Sequence, residues 1–129
     1  MTVQLDHTIL PVHDKRASAA FLADVLGLPA PEPMGPFVAV ALDHGLTIDF
    51  ADADGAIRPL HFAFRVSEPQ FDASFARVRD LSLQYWADPR RTRPGEIAQR
   101  GRGRAFYFED PSGHFYEVLT RPETHEEAA

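Results

Sequence analysis

The sequence predicts an α+β fold written twice, and three observations carry that prediction. Short apolar or alternating runs of strand character are interrupted by two segments of helical periodicity. The order strand, helix, strand, strand in the first half returns in the second. A histidine and a carboxylate recur at matching places in each half.

The elements follow in order. "LDHTILPV" alternates as a half-buried strand, and "DKRASAAFLADVLGL" then places Phe21, Leu22, Val25 and Leu26 at helical spacing. Asp14 is positioned to cap that helix and Gly27 to stop it. "FVAVAL" and "LTIDFAD" read as strands around the turn Asp43-His44-Gly45. In the second half "LHFAFRV" is a strand, with Leu60, Phe62, Phe64 and Val66 expected under a helix and His61, Ala63 and Arg65 on the opposite face. "SEPQFDASFARVRDL" is that helix, opened by Ser67 and Gln70 in capping-box spacing with Pro69 in the first turn, and with Phe71, Phe75 and Val78 on one face. "LQYWADP" adds a short strand before a loop rich in Pro, Arg and Gly. "RAFYFED" and "HFYEVL" close as a hairpin around Pro111-Ser112-Gly113.

The halves align residue by residue. His61 lies 54 positions after His7, as Val66 lies after Val12 and Phe75 after Phe21. Gly113 and Glu117 lie 68 positions after Gly45 and Asp49. The larger offset reflects the arginine loop inserted in the second half. One domain over 1–122 is expected, made of two repeats at about 3–52 and 58–120, with 123–129 as a frayed tail.

Bulk composition bounds the function classes. The chain has 129 residues, 44% hydrophobic and 25% charged, and no apolar run approaches the length of a membrane span. Its net charge of −6 argues against sequence-independent nucleic-acid binding, which needs a basic surface. Cysteine is absent, so no thiol serves as nucleophile or ligand. No basic segment followed by an apolar one opens the chain, and a cytoplasmic location is expected.

Glu117 stands inside an aromatic and β-branched run, "HFYEVL", where an ionised carboxylate needs a cation, a proton or donors. The strings "LDHTIL", "LHFAFRV" and "FYFEDPSGHFYEV", in this order, resemble the vicinal oxygen chelate superfamily over about residues 3–120. That superfamily includes glyoxalase I, methylmalonyl-CoA epimerase, extradiol dioxygenases, fosfomycin-resistance transferases and bleomycin-resistance proteins. The resemblance implies two βαβββ modules whose curved mixed sheets surround a cleft. It also implies a divalent metal (Fe, Mn, Ni, Co or Zn) held by His7, His61 and Glu117. Three such ligands leave coordination positions open for a chelating small-molecule substrate. Asp49, at the fourth ligand position of glyoxalase I and the epimerase, is one methylene shorter than the residue found there. It is read as a direct ligand, a water-mediated one, a base, or a solvated strand carboxylate.

Among members, the glyoxalase and epimerase pattern fits the paired histidines and carboxylates best, implying lyase or isomerase chemistry through a metal-stabilised enediolate. The spacing of Tyr107, Asp110, Pro111, Gly113 and Glu117 is shared with extradiol dioxygenases. The histidine that precedes the tyrosine there is replaced here by "IAQRGRGRAF". Tyr107 is either a substrate contact or a core aromatic, and Arg65 is a candidate substrate contact. Arg90, Arg91, Arg93, Arg100, Arg102 and Arg104 fall together, opposed there only by Glu96. They form either an anion clamp, which would suit the alternative of a fosfomycin-type transferase, or a solvated loop or dimer contact. His13, His44, His114 and His125 are expected at the surface. A homodimer is expected by resemblance, and a metal-free drug-binding protein of the bleomycin-resistance kind is the reading from another class.

Overall fold

The computed structural model describes residues 2–121. The chain divides into two compact units, Met1–Arg58 and Pro59–Ala129. The expected tail and His125 lie outside the described residues.

The first unit runs β1 (His7–Val12), α1 (Lys15–Leu26), β2 (Glu32–Met34), β3 (Phe37–Ala41) and β4 (Thr47–Asp52), in the sheet order β1-β4-β3-β2. Asp14 starts α1 by accepting from the backbone N–H groups of Arg16 and Ala17, and Gly27 ends it in the left-handed conformation at φ 68°. The helix buries Ser18, Ala19, Leu22, Ala23 and Val25, whereas Phe21 and Leu26 are only half-buried. These small residues let α1 lie close on β1, β3 and β4. Beneath it Leu10, Val12, Val40, Ile48 and Phe50 are buried, each large side chain contributing about 1.5–3 kcal/mol.

The second unit runs β5 (His61–Arg65), α2 (Glu68–Asp80), β6 (Tyr85–Trp86), β7 (Ala98–Arg100), β8 (Gly103–Glu109) and β9 (Phe115–Leu119). The sheet order is β5-β9-β8-β6, with β7 also paired to β8. Ser67 and Gln70 form the expected reciprocal capping box. Large rings seat α2: Phe71 meets Phe106 edge-on at 5.2 Å, and Phe75 meets Tyr85 at 5.1 Å. The β8–β9 turn is tied by Asp110, whose Oδ1 accepts from the N–H of Ser112 (3.0 Å) and of His114 (2.7 Å), and Gly113 takes φ 90°.

Both units share one pairing register. β1 lies parallel to β4 with Ile9 opposite Asp49, and β5 lies parallel to β9 with Ala63 opposite Glu117. In each, the residue two after the histidine faces the carboxylate. "LQYWADP" supplies β6 as expected, whereas β2 and β7 escaped the reading: β2 is an edge strand containing Pro33, where a missing N–H is tolerated.

Two expectations are corrected. His114 is fully buried rather than at the surface, because its Nδ1 accepts the N–H of Leu60 at 3.0 Å. Leu60 is 41% exposed instead of sitting under α2, since it precedes β5 and its side chain is outside the strand's alternation.

Candidate functional site

In the second unit the parallel pairing of β5 with β9 sets His61 near Glu117, and the antiparallel pairing of β8 with β9 sets Tyr107 directly opposite Glu117. His61 Nε2 is 3.2 Å from Glu117 Oε1. Arg100, at the end of β7, donates from Nη1 to Glu117 Oε2 at 3.0 Å and from Nη2 to the Tyr107 hydroxyl. Glu117 and Tyr107 are buried, Arg100 is half-buried and His61 is open to solvent. Glu117 therefore has its partners: an imidazole on one oxygen and a guanidinium on the other.

The electrostatics follow from that contact. Burial alone would lower the Arg100 pKa, but the hydrogen bond to Tyr107 and the charge of Glu117 outweigh it and hold the guanidinium above its ordinary value. Burial pushes the Tyr107 phenol up, Glu117 adds to the rise and Arg100 opposes it, so the hydroxyl keeps its proton at neutral pH.

Rings extend the site. Tyr107 stacks on Phe115 at 5.5 Å and on His61 at 6.0 Å, and Phe115 continues to Trp86 at 5.9 Å. Arg91 lies over both Phe115 (4.5 Å) and Trp86 (5.0 Å) and pairs with Glu109. The arginine-rich loop is organised rather than merely solvated. Asp88 accepts from Thr92 and from the backbone N–H of Arg93, and the Ala87 N–H donates to the Arg93 carbonyl at 3.0 Å. Arg93 pairs with Glu96, and Arg104 binds Glu68 and Asp72.

In the first unit His7 and Asp49 share an open depression of about 570 Å³, lined also by Asp6, Met34, Phe37 and Thr47. His7 Nδ1 is 2.8 Å from Asp6 Oδ2, a contact that raises the His7 pKa and leaves Nε2 for another partner. Asp49 is buried and its Oδ1 accepts from the Thr47 hydroxyl at 3.0 Å. The shorter side chain keeps Asp49 over its own strand, where the longer Glu117 reaches across to a histidine.

Of the expected residues, the structure thus brings together His61, Glu117 and Tyr107 in one unit and His7 with Asp49 in the other. Arg65 stands exposed on the same strand face as His61, away from the Glu117 contacts. Among the described residues no group of three or more His, Cys, Asp or Glu side chains is gathered for a metal. The donor chemistry nonetheless fits a divalent ion. An imidazole nitrogen and a carboxylate oxygen, here 3.2 Å apart on His61 and Glu117, are donor types that such an ion takes. Arg100 was missed because it was grouped with its five neighbours. The signal that separates it is β7, a three-residue strand that lays its side chain beside β8.

A family model described as the Glyoxalase/Bleomycin resistance protein/Dioxygenase superfamily matches residues 4–118. The chain is similar to the solved structure of Oxidase ChaP-H2, with 56% identity, a TM-score of 0.92, and coverage of 95% of this chain and 97% of that one. It is similar also to Oxidase ChaP-H1, with 50% identity, a TM-score of 0.91, and coverage of 94% and 98%. Among curated proteins it resembles Glutathione transferase FosA of Serratia marcescens, 26% identical over 125 residues that span 92% of this chain and 81% of that protein.

Proposed function

Because this chain belongs to the Glyoxalase/Bleomycin resistance protein/Dioxygenase superfamily, we propose that it is a divalent-metal enzyme that oxidises a small oxygen-chelating molecule. The reading rests on one observation above all: Glu117, His61, Arg100 and Tyr107 meet at a buried carboxylate with an open histidine beside it. His61 and Glu117 would supply two of the metal's donors, and His7 is the third that the family resemblance implies. Two histidines and one carboxylate with open positions is the donor set of non-haem iron(II) oxygen chemistry. The names of the two relatives at 50% and 56% identity, both oxidases, favour oxidation over the lyase or isomerase chemistry first inferred from the paired carboxylates. When bound, the metal supplies Lewis acidity and, as iron, one-electron chemistry. The chain's own groups do the rest. Arg100 and the Tyr107 hydroxyl orient a negatively charged oxygen, and Phe115 and Trp86 keep bulk water from one side. A cytoplasmic homodimer is the working form in this reading.

The isomerase reading keeps one observation in its favour. Asp49 is buried beside Thr47 in the His7 depression, where it would serve as a base for a proton next to a carbonyl. Metal analysis separates the two, using untagged protein reconstituted anaerobically with each candidate ion beside Glu117→Ala. Near-stoichiometric iron, lost in the variant and accompanied by oxygen uptake with chelating phenols or enols, supports oxidation. Nickel, cobalt or zinc without oxygen uptake transfers the case to the isomerase. Wild type that stays empty with every ion refutes both and leaves the metal-free drug-binding protein.

A further inference from the structure

We propose that the peptide bond between Asp54 and Gly55 is a modification site. It rearranges in the folded chain to an isoaspartyl linkage, and the product is a substrate for a carboxyl methyltransferase that uses S-adenosylmethionine. The inference lies outside the candidate site and does not depend on a metal.

Three observations carry it. Asp54 is the one aspartate followed by glycine, and the chain has no asparagine, so no deamidation leads to the same product. Asp54 and Gly55 are exposed, in a stretch without helix or strand between β4 and β5, and a Cβ on Gly55 would meet nothing within 4 Å. Among the described residues neither the Asp54 carboxylate nor the Gly55 N–H makes a hydrogen bond. Both flanks are held, however: the Ala53 N–H donates to the Val12 carbonyl at 2.8 Å, and His13 Nε2 to the Gly55 carbonyl at 3.0 Å. Elsewhere the required nitrogen is engaged or lacks its proton. The N–H after Asp14 donates to Asp52, that after Asp52 to Val12 and that after Asp80 to Arg77, while Asp88 and Asp110 precede proline.

The rearrangement needs no reagent but water. The Gly55 nitrogen attacks Asp54 Cγ and a C–N bond forms; the carboxyl C–O bond breaks, and the hydroxyl leaves as water with the amide proton. Glycine favours this step because no Cβ shields its nitrogen and its backbone turns freely. Water then opens the five-membered imide. Attack at Cγ restores aspartate. Attack at the main-chain carbonyl carbon breaks the original peptide C–N bond and leaves the chain running through Cβ. Mass is unchanged, but the main chain gains one carbon between two anchored points and a carboxylate is left on Cα. That carboxylate takes the methyl group from the sulfonium of S-adenosylmethionine, which leaves as a thioether.

The test is to age the full chain, folded and unfolded in guanidinium chloride, beside Asp54→Glu and Asp54→Asn. After removal of denaturant, isoaspartate is read as methyl groups accepted from labelled S-adenosylmethionine with a purified isoaspartyl methyltransferase. Fragmentation mass spectrometry locates and counts it independently. Exposed loops open at free energies near zero, so the folded chain should react at Asp54 within about tenfold of the unfolded rate. Asp54→Glu, whose ring would be six-membered, should be slower by about tenfold or more, and Asp54→Asn, whose amide loses ammonia more readily than a carboxyl loses water, faster by a similar factor. A folded rate more than about tenfold below the unfolded one overturns the proposal, since the fold then keeps nitrogen and carboxyl apart. An Asp54→Asn chain that does not react when folded overturns it on the same ground. Methyl acceptance undiminished in Asp54→Glu overturns the assignment to this bond. Isoaspartate that forms but accepts no methyl in the folded chain overturns the claim that the product is a methyltransferase substrate.

Discussion

Replacing His114 with phenylalanine removes a buried acceptor while keeping a ring of similar shape. In the native protein the ring is fully buried and its Nδ1 receives the Leu60 N–H at 3.0 Å, joining the β8–β9 turn to the chain immediately before His61. Phenylalanine leaves that N–H without its partner, which costs about 1–3 kcal/mol, and the slightly larger ring adds to the loss. For a chain of this length, an unfolding entropy of about 2.1 cal/mol/K per residue converts that range into a fall in Tm of roughly 4–11 °C. His114→Asn, which presents an oxygen near the position of Nδ1, should recover part of the loss. His114→Ala should lie below both, since it removes the acceptor and opens a cavity. Thermal and urea unfolding followed by circular dichroism give the order, and amide hydrogen exchange reports on Leu60 directly. A phenylalanine variant as stable as wild type, with the Leu60 amide still protected, would refute the claim that this bond ties the turn to β5.

Two further substitutions test the frame around the site. Gly103→Ala would bring a Cβ to 2.9 Å from Arg121 Cβ and 3.3 Å from its backbone N, so urea unfolding should show a loss of about 1–3 kcal/mol. The hydrogen bond from Arg104 holds the Glu68 pKa below its ordinary value, so its contribution is present above the unfolded-state pKa and is lost as pH falls through the depressed one. Glu68→Gln should therefore melt below wild type at neutral pH and converge with it in acid; a gap independent of pH would refute the assignment.

The sequence carried the fold at the places where one local rule dominates. Asp14, Gly27, Ser67 and Gln70 sit at helix ends whose backbone groups need those side chains, and all four do what their spacing predicts. The strands around Asp49 and Glu117 were equally legible, because alternation fixes the face and the repeat fixes the register. What local pattern could not carry was partnership across strands. His114 looks like a turn residue until the Leu60 amide is seen against it, and Arg100 is one basic residue among six until β7 pairs with β8. β2 was hidden by Pro33, which suppresses strand propensity without forbidding an edge position. Glu117 raised the right question in the sequence, but its answer lay in two groups 56 and 17 positions away.

The shared register of the two units lets one pairing carry two different sets of contacts. The hydrogen-bonded ladder pairs the same places in both units although the groups standing there differ. Ornament has drifted freely upon it: one copy spends its acid on a nearby threonine, the other stretches by a single methylene to an imidazole and a guanidinium. Because each unit pairs its strands within its own sheet, a change at one carboxylate leaves the other unit's ladder untouched.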